Sequence, residues 1–158
     1  MARYNKIFAA LDGAQTQEAV ARRALSIAHD NNAEVLFGHV IDSVPYEANG
    51  IDFAALTDDG LQRIEEELEP YLTRARNDEC IPKLDVQVRA GRVAESLIES
   101  LIDPYEPDLV ICGVRGLSNI KYAFVGSVST QLIRNVKCDV LVVRPETLDE
   151  HPQDEWHD

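Results

Sequence analysis

Short apolar runs alternate with segments of helical periodicity along the whole sequence, and this alternation most constrains the fold. Five runs rich in Val, Ile, Leu and Phe each predict a strand, at residues 6–11, 34–41, 84–89, 108–112 and 139–144. Strands that alternate with helices form right-handed βαβ units, and their parallel sheet is covered on both faces. Four of the runs are mostly apolar, as strands covered on both faces should be, whereas residues 84–89 alternate apolar and polar residues. The sequence therefore predicts a three-layer αβα fold around a five-stranded parallel sheet.

Four segments between the predicted strands repeat apolar residues every three or four positions, which predicts amphipathic helices. These helices are expected at about residues 14–30, 57–77, 92–102 and 127–136. Thr57, with Gly60 nearby, is interpreted as the start of the second helix. Pro104 and Pro107 are interpreted as the end of the third helix, because proline interrupts the hydrogen-bond ladder. Residues 42–56 show no period and are expected to be irregular.

The size and composition fit one globular domain. The chain has 158 residues, of which 45% are apolar and 27% charged, and both values are ordinary for a single domain. No repeat or composition break divides the sequence. We therefore predict one domain over residues 1–145, followed by an acidic, frayed tail over residues 146–158.

The acidic charge argues against two classes of partner. A formal net charge of −13 repels phosphate backbones and anionic lipid. No strongly basic stripe offsets it, so neither nucleic acid nor a membrane is an expected partner. No apolar run approaches the roughly 20 residues of a membrane span, and the N-terminal residues lack a signal-peptide pattern. We therefore expect a cytoplasmic protein.

The three cysteines, Cys80, Cys112 and Cys138, are odd in number and form no C-x-x-C pair. Their spacing suggests neither a disulfide framework nor a zinc site. Cys112 and Cys138 lie in or beside apolar runs and are interpreted as small core residues, which fits a reducing compartment. His29 is expected at the surface.

Glycines frame the connection between the fourth strand and the last helix. Gly113 and Gly116 follow the strand, and Gly126 and Ser127 precede the helix. Glycine permits close backbone approach, and successive N–H groups in such a loop can converge on an anion. A helix N-terminus adds unpaired N–H groups and the positive end of a dipole. The pattern predicts a phosphate site at the carboxyl edge of the sheet, across from Asp12.

Several readings of these glycines remain open. Glycines that only shape turns are the plainest one, whereas Arg115 and Lys121 inside the loop would offset the negative charge around a bound phosphate. No Gly-Lys-Ser/Thr occurs, so the loop is not a Walker A motif. A G-x-x-G that clamps RNA needs a basic surface. Asp12 as a phosphoacceptor would need a neighbouring acidic cluster and a lysine after the last strand, and neither is present.

Other polar and aromatic residues carry weaker signals. His39 is interpreted as a packed or rim histidine rather than a catalytic one, and no Ser-His-Asp or Cys-His arrangement is evident. Arg89 and Arg92 either point toward the ligand cleft or start a helix in solvent. Tyr46 and Phe53 lie in the irregular segment and have three alternative roles: a lid over the cleft, a surface for a partner, or packing within the loop.

The spacing Gly113-x2-Gly116-x9-Gly126-Ser127 resembles the nucleotide-binding motif of the universal stress protein family. Leu11-Asp12-Gly13 and the segment 140–144 support the resemblance, which covers about residues 4–144. It implies the ATP-binding branch of the family and a Rossmann-like sheet of order 3-2-1-4-5, similar to the adenine nucleotide alpha hydrolases. It also implies a homodimer formed partly through the last strand, residues 139–144.

The resemblance further implies a ligand and roles by position. The ligand would be ATP, or AMP or ADP, accompanied by Mg²⁺ or Mn²⁺ without direct protein ligation. Asp12 would meet the adenosine, Val40 would lie against adenine, and the glycines and serines would hold ribose and phosphates. The residues expected to bind nucleotide are Ala10, Leu11, Asp12, Val40, Gly113, Arg115, Gly116, Gly126, Ser127, Val128 and Ser129. Ala14 and Asp139 depart from the family pattern, which often has a hydroxyl residue and a proline there.

The function expected from this resemblance is a stress-response or signalling protein that binds ATP as a signal or cofactor. No general base is evident beside the glycine loop, so a dedicated enzyme is not expected; slow ATP hydrolysis or autophosphorylation is the most catalysis predicted. One alternative is a dimeric interaction module without nucleotide. Another is an enzyme acting on an adenylated or phosphorylated metabolite.

Overall fold

The computed structural model describes residues 3–13, 16–48, 50–114 and 126–144. Five parallel strands form one sheet in the order β3-β2-β1-β4-β5. The strands are β1 (Lys6–Ala10), β2 (Glu34–Asp42), β3 (Leu84–Gly91), β4 (Leu109–Gly113) and β5 (Asp139–Val143). The predicted fold class and strand order are confirmed.

Helices occupy the connections between the strands. They are α1 (Gln17–Asn31), α2 (Phe53–Glu67), α3 (Glu69–Arg76), α4 (Val93–Ser96), α5 (Asp103–Tyr105) and α6 (Ser127–Asn135). The π-helical turns Leu97–Ile102 join α4 and α5 into one continuous helix, and a 3₁₀ turn, Val44–Tyr46, follows β2. Residues 145–158, which include the predicted tail, lie outside the described residues.

Two apolar cores lie on opposite faces of the sheet, because alternate side chains of a strand point to opposite faces. On one face, Ile7 and Phe37 pack with residues of α1, α2 and α3. On the other face, Phe8 packs with Leu101 of the π-helical turns and Leu132 of α6. This arrangement confirms the three layers and leaves the two ends of the strands for binding.

The predicted start of the second helix at Thr57 is wrong. Helix α2 begins at Phe53 because the Asp52 carboxylate accepts hydrogen bonds from the backbone N–H groups of Ala54 and Ala55, at 3.0 and 3.4 Å. An aspartate at the N-cap satisfies N–H groups that a helix start leaves unpaired. The segment also divides in two at Leu68, where Pro70 occupies the first turn of α3.

The predicted end of the third helix before Pro104 is also wrong. The helix continues to Tyr105 and ends at Glu106, whose φ of 54° is left-handed. The N–H of Asp103 donates to the carbonyl of Ile98, a π-type bond across five residues. This wider turn accommodates Pro104, which has no N–H to offer the ladder.

Candidate functional site

A cleft of about 450 Å³ opens at the carboxyl edge of the sheet. It lies between the ends of β1 and β4, where the chain order reverses across the sheet. Ligands of open α/β sheets bind at such a switch point, and ligand cavities are usually about 300–1,000 Å³ in volume. Both position and size therefore make this cleft the candidate site.

Most of the residues predicted to bind nucleotide meet at this cleft. The lining includes Ala10, Leu11, Asp12, Val40, Gly113, Gly126, Val128 and Ser129. Ser127 begins α6 but is exposed and is not part of the lining. Arg115 and Gly116, like Lys121 and Ala14, lie outside the described residues. The structure thus brings eight of the eleven predicted residues together, and their role toward a nucleotide stays a prediction.

Thr16 holds the ends of β1 and β4 in position. Its buried hydroxyl donates to the carboxylate of Asp12. A Cβ on Gly113 would lie 2.6 Å from both Cβ and Oγ1 of Thr16. The glycine at position 113 therefore has a packing reason that is independent of any ligand, since it makes room for the start of α1. The sequence analysis did not single out Thr16.

A hydrogen-bonded chain links the loop after β1 to α2. The N–H of Gly13 donates to Oε1 of Gln17 at 3.0 Å, and Nε2 of Gln17 donates to Oε2 of Glu67 at 2.8 Å. Gln17 is only 3% exposed, so its amide has little access to water. Both of its amide atoms are therefore satisfied by groups that border the cleft.

His39 lies on the cleft wall at the end of β2. Its Nδ1 is 2.8 Å from the carbonyl oxygen of Leu11. A carbonyl oxygen can only accept, so Nδ1 must be the donor. In the neutral ring, Nε2 is then left as an acceptor. His39 joins β2 to β1 at the rim, as the sequence analysis interpreted it.

The N-terminus of α6 is tied to the end of β4. Ser129 is buried and its hydroxyl donates to the carbonyl of Gly113 at 3.1 Å. Gly126, the N-cap residue, has φ −67° and ψ 172°, which any residue can adopt.

Burial raises the pKa of the neighbouring Cys112 thiol, and its hydrogen bond with Ser129 opposes that rise. The thiol is consequently protonated at neutral pH.

The described lining of the cleft is mostly acidic in its charges. It contains the carboxylates of Asp12, Asp42, Asp59 and Glu67 and, among described residues, one guanidinium, that of Arg63. A phosphate entering here is repelled by these carboxylates. Favourable contacts would have to come from backbone N–H groups, from Arg63 or from a bound cation.

Helix α2 forms a wall of the cleft that the sequence analysis missed. Its contribution comes from Leu56, Asp59, Gly60, Arg63, Ile64 and Glu67. The spacing of apolar residues in this segment indicated which side of the helix faces inward. It did not indicate where the helix lies over the sheet. The helix predicted from Thr57 already held five of these six residues, and the Asp52 cap was the available signal for Leu56 alone.

The remaining candidates separate clearly. Tyr46 lines the cleft, whereas Phe53 is 39% exposed. Neither Arg89 nor Arg92 is part of the lining. Arg89 donates to the carbonyl of Val88 and to the side chain of Gln87, and Arg92 is the N-cap residue of α4. The alternatives were that these arginines point toward the ligand cleft or start a helix, and Arg92 lies at a helix start.

A family model described as "Universal stress protein family" matches residues 3–144. The chain belongs to the universal stress protein family. A universal stress protein of Staphylococcus saprophyticus is 31% identical over 150 residues, which cover 95% of this chain and 89% of that one. Its name states the family and no catalytic activity.

Solved universal stress proteins share the fold. UspA from Lactobacillus plantarum matches with a TM-score of 0.74 and 22% identity, over 91% of this chain and 100% of that one. A universal stress protein in complex with cAMP matches with a TM-score of 0.63 and 23% identity, over 90% and 98% of the two chains.

In the part of this universal stress protein that the structure describes, no helix combines the length and hydropathy needed to cross a bilayer.

Proposed function

We propose that this universal stress protein binds an adenine nucleotide in the cleft between β1 and β4. The observation that carries the proposal is the convergence of the β1 end, the β4 end and the N-terminus of α6 on one cavity of about 450 Å³. The preferred ligand is ATP with Mg²⁺ or Mn²⁺, and AMP, ADP and a cyclic nucleotide are the related candidates. The G-x2-G-x9-G-S spacing supports assignment to the ATP-binding branch.

The division of labour within the cleft follows its chemistry. Val40 and Leu97 offer an apolar surface for a base, and Nε2 of His39 offers an acceptor beside it. Gly126 and the first turn of α6 offer N–H groups to phosphate oxygens. Asp12 lies between these regions, at the position suited to the ribose.

The acidic lining makes a cation part of the proposal. Mg²⁺ at nucleotide sites usually takes one or two carboxylates together with phosphate oxygens and water. The carboxylates of Asp12, Asp42 and Asp59 line the same cavity as the proposed phosphate site, and a cation held by the phosphates and water needs no direct bond to them. The cation would neutralise phosphate charge that these carboxylates otherwise repel.

The proposed role is a cytoplasmic stress-response or signalling protein that uses the nucleotide as a signal or cofactor. The polar groups of Thr16, Gln17 and Ser129 are each engaged in hydrogen bonds within the protein. All three residues are also buried, at 3–4% exposure, so they stabilise the wall of the cleft instead of facing a ligand, which supports binding over dedicated catalysis.

Isothermal titration of the purified protein tests the proposal. We expect ATP with Mg²⁺ to bind one site per chain with a sub-millimolar Kd. Removal of Mg²⁺ with EDTA should weaken ATP binding at least about tenfold, or about 1.4 kcal/mol, because the carboxylates then repel the bare phosphates. Binding of AMP and cAMP, which carry less charge, should depend less on the cation. Absence of heat for every adenine nucleotide at near-millimolar concentration would refute nucleotide binding.

A second candidate is an interaction module that works without nucleotide. The excess of carboxylates around the cleft favours it, as do the exposed apolar side chains Val44 and Phe53, which are 49% and 39% exposed. The same titration separates the two candidates, because this module gives no signal with any nucleotide.

We also propose that two chains pair through β5. Within the described residues, β5 pairs with β4 alone, so its outer edge has no strand partner. Val140, Leu141 and Val142 on this strand are only partly buried. An unpaired edge with apolar side chains is suited to strand addition.

Light scattering on a variant of β5 tests the proposed dimer. The position to change is chosen from the direction of the backbone N–H groups. The carbonyl of Val143 faces β4, where it accepts from the N–H of Val114, so the N–H of Val142 faces the outer edge. We expect the wild type to have twice its chain mass of 17.6 kDa. Val142→Pro should give monomers, because it removes an outward N–H, while Val142→Thr should stay dimeric. A monomeric wild type would contradict the proposed pairing.

A further inference from the structure

Three side chains with metal-binding atoms meet at the edge of the sheet opposite the cleft. His29 lies in the last turn of α1, and Asp78 and Cys80 lie in the loop between α3 and β3. Helix α1 begins beside the cleft at Thr16 and ends at the amino edge of the strands, where Ala33 precedes β2. The three residues therefore form a site remote from the proposed nucleotide site.

The geometry of this cluster is compact and partly shielded. Nδ1 of His29 lies 2.6 Å from Oδ2 of Asp78. One ligand atom from each of the three residues lies within 4.8 Å of the other two. The side chains of His29 and Asp78 are 18% and 12% exposed, and Cys80 is half-buried. The three side chains are therefore close together and still partly accessible to solvent, so an ion could reach them.

Backbone contacts shape the loop that carries Asp78 and Cys80 before any ligand binds. Oδ1 of Asp78 accepts the N–H of Cys80 at 2.9 Å, which orients the carboxylate and curls the loop. The N–H of Ile81 donates to the carbonyl of Asp78 at 3.1 Å. Such outer hydrogen bonds are the kind that orient ligands at metal sites.

We propose that His29, Asp78 and Cys80 form a binding site for a thiophilic divalent cation, of which Zn²⁺ is the best match. An imidazole, a thiolate and a carboxylate are each ordinary zinc ligands. The thiolate discriminates against Mg²⁺ and Ca²⁺, which prefer oxygen ligands. Three protein ligands leave the fourth tetrahedral position to water.

The movements required are small. Zinc bond lengths of about 2.0–2.3 Å place neighbouring ligand atoms about 3.3–3.7 Å apart in a tetrahedron. The His29–Asp78 contact of 2.6 Å must open and the wider separations, up to 4.8 Å, must close. Each change is about 1 Å, which rotation of the Asp78 and Cys80 side chains in their loop can provide. On binding, the Cys80 thiol gives up its proton to solvent and its sulfur bonds to the cation. His29 moves its Nδ1 proton to Nε2 through solvent, which frees the Nδ1 lone pair for the cation.

The site would fasten the end of α1 to the loop that leads into β3. His29 and Cys80 are separated by fifty-one positions in the sequence, so one ion would bridge two distant segments. Its occupancy does not depend on nucleotide, because the cleft lies at the other edge of the sheet. The proposal therefore stands apart from the proposed function.

Titration of tag-free, reduced full-length protein with Zn²⁺ and with Co²⁺ tests the site. We expect one ion per chain and a thiolate-to-cobalt charge-transfer absorption. Cys80→Ser should abolish that absorption, and His29→Asn should weaken Zn²⁺ binding at least about tenfold. Two controls should bind like the wild type: Cys138→Ser, which removes another cysteine, and the double variant His151→Asn/His157→Asn, which removes the histidines of residues 146–158.

A second measurement needs no variant. Zn²⁺ should protect Cys80 of the wild type from alkylation, while Cys138 should react at an unchanged rate, as read by peptide mass spectrometry. The proposal is overturned if the wild type gives no charge-transfer absorption, if Cys80→Ser binds Zn²⁺ as tightly as the wild type, or if Zn²⁺ leaves Cys80 alkylation unchanged.

Discussion

Gly126→Val is expected to abolish nucleotide binding while the protein stays folded. Gly126 lines the cleft, is buried and caps α6. Its backbone angles suit valine, so no backbone strain opposes the substitution. The new side chain would instead occupy the space through which phosphate approaches the first N–H groups of the helix. We expect the affinity for ATP with Mg²⁺ to fall at least about 100-fold, which is about 2.8 kcal/mol.

Thr130→Val is the matched control for this prediction. Thr130 lies one turn further along α6 and is not part of the cleft lining, and valine has nearly the shape of threonine. Titration calorimetry on both variants, with circular dichroism to verify folding, provides the measurement. If a folded Gly126→Val binds ATP as tightly as the wild type, phosphate does not approach the start of α6.

Gly38→Ala is expected to cause the largest loss of stability among the substitutions considered. The ring of Phe8 lies across Gly38, and a Cβ there would be 2.4 Å from Cζ and 2.6 Å from Cε2 of that ring. Phe8 is fully buried, so it has nowhere to move without disturbing Leu101, whose Cδ1 would lie 3.1 Å from the same Cβ. We expect the free energy of unfolding to fall by about 3 kcal/mol, at the upper end for an overpacked core.

Gly60→Ala provides the comparison. A Cβ at Gly60 would lie 2.8 Å from Cδ1 of Ile41, the flexible end of a partly buried side chain. Alanine also favours the helix by about 1 kcal/mol over glycine, so we expect a net change below about 1 kcal/mol. In urea and thermal unfolding, Gly38→Ala should lower Tm by roughly 6–12 °C. An equal loss in the two variants would show that the Phe8 ring yields as readily as Ile41.

Strand positions were readily predictable because four strands are mainly apolar runs and β3 alternates apolar and polar residues. The predicted run at 108–112 differs by one residue at each end from β4, and the run at 139–144 by one residue from β5. Helix boundaries were harder. The Asp52 cap begins α2 four residues earlier than Thr57, and π-helical turns carry the third helix past Pro104. In both places, a local hydrogen bond outweighed the residue that had been taken as the boundary.

The candidate site divides in the same way. Glycines 113 and 126 and Asp12 were visible in the sequence because they directly follow or precede predicted elements. Thr16, Gln17 and the α2 wall were not, because their contacts join residues from different segments. The hydrogen bond from Gln17 to Glu67 spans fifty positions, and no period or motif announces it.

The sequence by itself determined the alternation of strands and helices, the glycine spacing and the resemblance to the universal stress proteins. These are properties of neighbouring residues, since burial on both faces requires apolar runs and a close backbone approach requires glycine. The tertiary structure alone decided that Gly113 makes room for Thr16, that α2 closes one side of the cleft, and that His29 meets Asp78 and Cys80. Each of these depends on packing between segments distant in the chain, which only the folded arrangement of the helices on the sheet specifies.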